Sequence, residues 1–356
     1  MEKFGFIIHP LEVADVARKF PVCDFLPSHL VESMIKLVPP FEVSKITGVR
    51  SELGVEAEGW FVGCPLTSRQ ILELPTEEVM EKIIAAGIKA QKLGAKIVGL
   101  GAFTSIVGDK GIKVAKELDI PVTTGNSYTV ATAIEGTKLA CDMMGLEMKR
   151  SNILVIGATG SIGKACVRLL ARNNKYLMLA ARREAKLRKL AEKLKIESEV
   201  EAIITTNLEE LLPQADIVIT ASSSLDSLID INLLKSGAVV CDVARPRDVA
   251  REINLKRDDV LVIDGGIVEV PGQVNFNFDF GFPANAAYAC MAETMILALD
   301  KKYENYSLGP DLDLQKTLMI SQLATKHGFK LASLRSMERE ISLQQVSRMR
   351  RIVNST

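Results

Sequence analysis

Gly157, Gly160 and Gly163 stand three residues apart directly after an unbroken aliphatic run, Ile153-Leu154-Val155-Ile156. Such a run, without polar alternation, is the pattern of a parallel strand buried on both faces. Beyond the glycines, Ile162, Cys166, Leu169 and Leu170 recur at helical spacing, which predicts a helix from about Ser161. A strand, a glycine turn and a helix N-terminus make an anion site, because free N–H groups and the helix dipole face one point. The ligand implied is a dinucleotide pyrophosphate, held by Gly157, Thr159, Gly160, Ser161, Ile162 and Gly163. The spacing is GxxGxxG, a relative of the usual fingerprint, and a plain tight turn is the alternative. The next apolar run, Tyr176 to Ala181, ends in Arg182-Arg183. An acid at that place would hold a ribose 2′-hydroxyl, whereas arginine suits a 2′-phosphate. The expected cofactor is therefore NADPH, although the same arginines also open a strongly charged helix, "REAKLRKLAEKLK".

Six cysteines (23, 64, 141, 166, 241 and 290) include no CxxC pair and suit free thiols in a reducing cytoplasm. The three histidines are far apart without zinc-ligand spacing, so no metal site is expected. A reactive thiolate is favoured near a helix N-terminus. Cys290 falls about one turn into a helix that Pro283 and Asn285 are expected to start. Cys241 lies in a strand-like run, Cys141 and Cys166 fall inside helices, Cys23 has no motif around it, and Cys64, before Pro65, is the rival. By residue type alone Cys290 is as readily a small core hydrophobe, and the choice stays open at this point. Thr104, Ser105, Asn126, Ser127 and Thr129 are short donors suited to an oxyanion or to a nicotinamide amide, or else to capping and turns. Gly265 and Gly266, with Ser222, are expected to approach the cofactor. Glu293, a turn after Cys290, suits an acid or base role, with an exposed helical Glu as the default.

The elements that must position these residues alternate along the chain. Apolar runs at Phe4–Ile8, 43–49, 55–62, 96–101 and 121–124 are interleaved with helical patterns, the longest from about Thr76 to Leu93. A helix from about Ser127 to Met144 leads into the glycine motif. Strands are then expected near 176–181, 200–205, 216–221, 238–243 and 260–264, and a helix from about Asn285 to Lys301. The fold class is α/β, a doubly wound Rossmann-type parallel sheet with a second, smaller α/β domain. The expected division is 1–145 for substrate, 146–284 for NADP, and 285–356 as a bridging helix with a helical tail returning to the first domain. Four segments are expected at a cleft between the domains: "GAFTSI", "TTGNSYT", "DGGIVE" and "GFPANAAYAC". Among 356 residues, 44 Lys plus Arg balance 44 Asp plus Glu, so no overall field draws in nucleic acid. No apolar run reaches membrane-span length and "MEKFGFIIHP" is not a signal sequence, which together suggest a cytoplasmic protein.

"LGAFTSI", "TTGNSYT", "GATGSIG", "GGIVE" and "AYACMAE", in this order, resemble the cyanobacterial long-chain acyl-[acyl carrier protein] reductases, which make fatty aldehydes. The resemblance runs from about residue 50 to "KHGF" at 326–329 and is weak over the first 40 residues. That family is similar in architecture to shikimate dehydrogenase and glutamyl-tRNA reductase. The resemblance implies that Cys290 is the nucleophile in a reduction through an acyl-Cys intermediate, and Ser127 and Thr104, from the short donors above, are the catalytic donors expected beside it. It implies an acyl carrier protein or CoA thioester as substrate and an aldehyde-consuming enzyme as partner, with homo-oligomers allowed. The alternatives are a shikimate- or quinate-like dehydrogenase, which would want a Lys–Asp pair that these segments do not supply, and a non-catalytic NADPH-binding partner protein.

Overall fold

Alternating strands and helices build two compact units in a computed structural model that describes all residues except 225–227, 246, 251, 252, 280, 338 and 356. One unit comprises Met1–Tyr128 and Val268–Lys330, the other Thr129–Ile267 and Leu331–Thr356.

The first unit begins β1 (Glu2–Ile8), α1 (Val13–Lys19), α2 (Ser28–Leu37), β2 (Phe41–Arg50), β3 (Glu56–Gly63), α3 (Ser68–Glu73) and α4 (Thr76–Lys92). It continues through β4 (Val98–Leu100), α5 (Val107–Lys110), α6 (Ile112–Glu117) and β5 (Val122–Thr123) to the start of α7 (Asn126–Met144). In α4, Val79, Met80, Ile83, Ala86 and Ala90 recur every three or four residues and are buried, while its glutamates and lysines face outward. The helix lies close on the sheet because β1 offers Gly5, where a Cβ would come within 2.7 Å of Ala90 Cβ.

The second unit follows with β6 (Ile153–Ile156), α8 (Ser161–Leu170), β7 (Tyr176–Ala180), α9 (Glu184–Ser198), β8 (Glu201–Thr205), β9 (Ile217–Thr220), β10 (Val239–Asp242), α10 (Ile253–Lys256) and β11 (Leu261–Asp264). Its six strands run in the order β11-β10-β9-β6-β7-β8, every pair parallel, with the first strand central. This is the doubly wound sheet that the apolar runs predict, and each strand falls within a residue or two of its expected place. Ile153, Leu154 and Val155 are fully buried, as a strand covered on both faces requires.

The chain returns to the first unit through β12 (Ile267–Glu269), β13 (Gly272–Asn275), β14 (Ala286–Tyr288), α11 (Ala289–Leu299), α12 (Leu314–His327) and β15 (Lys330–Leu331). With β13 added at one edge, the first unit's sheet has the order β13-β2-β3-β1-β4-β5. The β1/β3, β1/β4 and β4/β5 pairs are parallel and the two at the β13 edge antiparallel. The helix expected from Asn285 starts instead at Ala289, because Ala286–Tyr288 is held as a strand and Asn285 O accepts from Val270 N at 2.7 Å. The last elements, β16 (Arg335–Ser336), β17 (Arg339–Glu340) and α13 (Leu343–Ser355), belong to the second unit. The division thus falls at 128/129, 267/268 and 330/331 rather than at 145/146 and 284/285. The tail packs on the nucleotide unit, where Val353 meets Gly237 and Arg348 meets Asp258 at 3.2 Å.

Candidate active site

In the first unit α11 runs antiparallel to the parallel strands. Its C-terminal end reaches the start of β1, where Lys301 Nζ is 3.9 Å from Glu2 and Tyr303 donates to Glu2. Halfway along, Gly99 of β4 makes room for Thr294: a Cβ there would lie 2.1 Å from Thr294 Oγ1. The N-terminus of α11 therefore stands at the carboxyl ends of the strands, where ligands of open α/β sheets bind. Every residue of α11 is buried except Cys290. Burial pushes the thiols of Cys64, Cys141 and Cys241 up to about 12 and raises that of Cys166 as well. Cys64, the rival nucleophile, is thus a core thiol, and only Cys23 and Cys290 are partly exposed. Cys290 is the second residue of its helix, closer to the dipole's positive end than expected.

Beside it lies the turn that opens α7. Gly125 has φ +72° and packs so tightly that a Cβ would fall 2.3 Å from Cys290 Cα. Two of the short donors expected here are committed to nearby carbonyls. Thr104 and Ser105 donate back to Gly101 O at 2.7 Å and Ala102 O at 2.6 Å, which is their turn-forming role. Thr124 donates to Ser307 O at 2.5 Å, and Asn126 is buried at the first position of α7. Ser127 differs, because its fully buried hydroxyl has no hydrogen-bond partner.

Two residues of this edge have surroundings that their sequence neighbourhoods did not reveal. Glu293, expected to be exposed, is fully buried and bound to Thr123, Ser307 and the backbone of Tyr128. His9, just past β1, accepts from Phe103 N through Nε2 at 3.1 Å, so its Nδ1 carries the proton given to Pro10 O at 2.9 Å. Burial lowers its pKa to about 4, against weaker upward pulls from Pro10 and Asp15. Their burial could not be read locally, since Phe103 lies 94 residues from His9 and Thr123 lies 170 from Glu293.

Phe276, Phe278, Phe280 and Phe282 alternate in the sequence, a pattern that would put all four on one face of an extended stretch, but Phe276, Phe278 and Phe282 do not share one strip. Strand β13 ends at Asn275 and Asn277 takes φ +49°. Phe276 and Phe278 pack on Phe61 at ring distances of 6.0 and 6.3 Å, whereas Phe282 pairs with Tyr288 at 4.8 Å. Phe280 lies outside the described residues. Phe103 is a core residue, and Ile106 is exposed.

In the second unit the glycine turn is built for close backbone approach. Gly157 has φ +74°, and a Cβ there would strike Ala221 O at 2.6 Å, next to Ser222. At Gly163 a Cβ would lie 2.3 Å from Gly157 O, so only glycine lets α8 close on the loop. Gly160, the N-cap of α8, donates to Gly157 O at 2.8 Å, with Ser161 buried and Thr159 and Ile162 half-buried beside it. Arg182 and Arg183 are exposed at the end of β7, and neither forms an ion pair among the described residues. Glu184, which might have neutralised them, is held by Arg188 at 2.5 Å. Gly265 packs against Cys241 and Val243, and Gly266 has φ +75°. Ser222 is held from below, donating to the buried carboxylate of Asp248 at 2.5 Å, a residue that also binds Thr220. These residues fit a bound NAD(P): a cradle without Cβ atoms, a helix N-terminus, and two free cations past the second strand. Among the described residues no group of three or more His, Cys, Asp or Glu is arranged to hold a metal.

Residues 138–264 match the family model for shikimate/quinate 5-dehydrogenase. Over 98% of its length the chain is 32% identical to an aminotransferase, PigE, of a Serratia species, and it spans only 42% of that relative. It is 27% identical over 93% of its length to the long-chain acyl-[acyl-carrier-protein] reductase of Synechococcus elongatus, covering 99% of it. A shorter match, 31% identical, covers 40% of the chain and 34% of the glutamyl-tRNA reductase of Mannheimia succiniciproducens. Residues 138–264 are thus similar to the shikimate/quinate dehydrogenases, and longer or shorter stretches of the chain to an acyl-[acyl-carrier-protein] reductase and to glutamyl-tRNA reductases.

Proposed function

We propose that the protein reduces a fatty acyl thioester, carried on an acyl carrier protein or on CoA, to the aldehyde with NADPH through an acyl group held on Cys290. The observation that carries this reading is the placement of Cys290, the one residue of α11 that reaches solvent, at a helix N-terminus while four other thiols are buried. A dehydrogenase of alcohols or hydroxy acids has no use for such a thiol. The family-model match at 138–264 falls almost wholly within the nucleotide unit, so it speaks for the cofactor and not for a shikimate-like substrate.

The Cys290 thiolate attacks the acyl carbonyl carbon and the carrier thiol leaves with a proton, so that the acyl group becomes a thioester of Cys290. NADPH, when bound at the Gly157–Gly163 turn with its 2′-phosphate on Arg182 and Arg183, supplies the hydride that this carbonyl takes up. Each addition places negative charge on the carbonyl oxygen, and the unpartnered Ser127 hydroxyl is the donor assigned to it. Thr104, whose hydroxyl is committed to Gly101 O, supports the turn after β4 and is not assigned a proton. Collapse of the thiohemiacetal frees the aldehyde and restores the thiolate.

The test is incubation with palmitoyl-CoA in the absence of NADPH, followed by peptide mass analysis. An acyl adduct on the peptide containing Cys290 is expected. Cys290→Ser should still bind NADPH yet form neither adduct nor aldehyde. Normal turnover by that variant would remove the reading, and an adduct on Cys64 would move the site.

A further inference from the structure

Glu293 is a carboxylate in the middle of an otherwise apolar, buried helix, and it is fully buried. Isolated burial of such a group is costly unless its lone pairs are filled. Here they are. Oε1 accepts from the hydroxyls of Thr123 and, at 2.7 Å, Ser307. Oε2 accepts from Tyr128 N at 2.8 Å, and the Gly125 backbone also donates to the carboxylate. The two backbone donors belong to the turn and first helical residues of α7, where a negative group is favoured by the dipole. Burial pushes the carboxyl pKa up, and all four donors pull it back down. Ser307 completes the frame, since its Oγ also accepts from Ser127 N at 3.1 Å.

The donors gathered by this one carboxylate bracket the candidate site. Gly125 is in van der Waals contact with Cys290, Ser127 carries the unpartnered hydroxyl, and Glu293 itself stands one helical turn beyond Cys290. We propose that Glu293 is a positioning residue: it latches the 123–128 turn and Ser307 onto α11, setting the distance between the Cys290 thiol and the Ser127 hydroxyl. This role rests on the acyl-transfer reading for its consequence but on the hydrogen bonds alone for its existence. It follows that shape and hydrogen bonding matter here rather than charge. Glutamine preserves the latch, because its carbonyl oxygen can take both backbone N–H groups while its amide donates to the two hydroxyls, which can rotate to accept.

The experiment compares wild type, Glu293→Gln and Glu293→Ala in three readouts: amide hydrogen exchange over residues 123–130, single-turnover acyl transfer from palmitoyl-CoA to Cys290, and alkylation of Cys290 by iodoacetamide. Glu293→Ala should speed exchange in that segment and slow acyl transfer by about tenfold or more, with alkylation, which needs only an accessible thiol, within about threefold. Glu293→Gln should stay close to wild type in all three. If Glu293→Ala does not fold, Thr123→Val combined with Ser307→Ala removes two donors and should show the same pattern in weaker form. Unchanged exchange and transfer in folded Glu293→Ala, or equal losses in the Gln and Ala variants, would overturn the latch. If wild type takes up no acyl group, the reductase reading fails instead, and the latch is decided by the exchange data.

Discussion

Whether a polar side chain at this site does chemistry or structure depends on what is left of its hydrogen-bonding capacity once the fold has used it. Thr104 and Thr124 are spent on carbonyls, Ser222 on Asp248, and Ser127 on nothing. Their types were legible in the sequence, but their commitments were not, because a hydroxyl's partner is set by three-dimensional neighbours. His9 shows the same limit: its acceptor role depends on Phe103 N, 94 residues away. The consequence is a pH effect of definite sign. The folded-state pKa of about 4 lies below the unfolded value of 6.5. The neutral imidazole's contribution is therefore complete above pH 6.5 and is lost as pH falls through about 4. Protonation at Nε2 would set an N–H against the Phe103 N–H. The shift corresponds to at most about 3.5 kcal/mol, at about 1.4 kcal/mol per unit. His9→Gln is expected to flatten the fall in melting temperature between pH 6.5 and pH 4. Parallel wild-type and variant curves across that range would show that His9 does not govern acid sensitivity.

Regular elements could be read from sequence wherever their burial pattern is local. Strands β6 to β11 are continuous apolar runs and fell where expected, and the glycines between β6 and α8 have the close contacts that their spacing implied. The start of α11 was misplaced because Pro283 and Asn285 imitate a helix start, while the pairing that holds Ala286–Tyr288 extended comes from β12. Glu293 was misread for a related reason: charge in a helix normally marks its solvent face, and α11 has none. The junction of β7 and α9 carries a test at this scale. Arg183 is the N-cap of α9, where a positive charge is opposed by the helix dipole, and the nearby Glu184 is turned toward Arg188. Local energetics give no reason for two arginines there, whereas a 2′-phosphate does. Replacing both with alanine should weaken NADPH by roughly 10- to 100-fold and NADH far less, as loss of charge-assisted bonds worth about 1.5–3 kcal/mol requires. Fluorescence titration with the two cofactors measures it, and equal losses would leave the arginines as surface charges.

The chain leaves the first unit at residue 128, returns to it at 268 and leaves again at 330, so each unit is assembled from two separate stretches. The two-layer α/β pattern was readable from the alternation of runs, but this threading was not, since periodicity says which face of a helix is buried and not against what. The tail is the clearest instance. Its seven Lys and Arg from 326 to 356 suit a solvated helix or a surface for an acidic carrier protein, and α13 nonetheless buries Val346 and seats Val353 on Gly237, the residue before the Ala238–Asp242 stretch. Arg348 meets Asp258, shortly before β11, and a Cβ at Gly145 would lie 3.5 Å from Arg350 Nη2. These contacts place α13 at the amino ends of β10 and β11, the edge opposite to Gly157, Ser222 and Gly265. Ending the chain at Ser342 should therefore separate stability from cofactor binding. The buried Val346 and the half-buried Val353 are worth about 2–4 kcal/mol together, and the exposed Arg348–Asp258 pair adds at most about 1 kcal/mol. For a unit of this size that lowers the melting temperature by roughly 4–20 °C. NADPH affinity measured well below the transition should stay within about threefold, because α13 contacts Gly237 and Asp258 at the strand edge opposite to the glycine turn. An unchanged melting temperature would show that α13 is not part of the unit's core, and a large loss of NADPH affinity in a still-folded protein would place the tail at the cofactor edge instead.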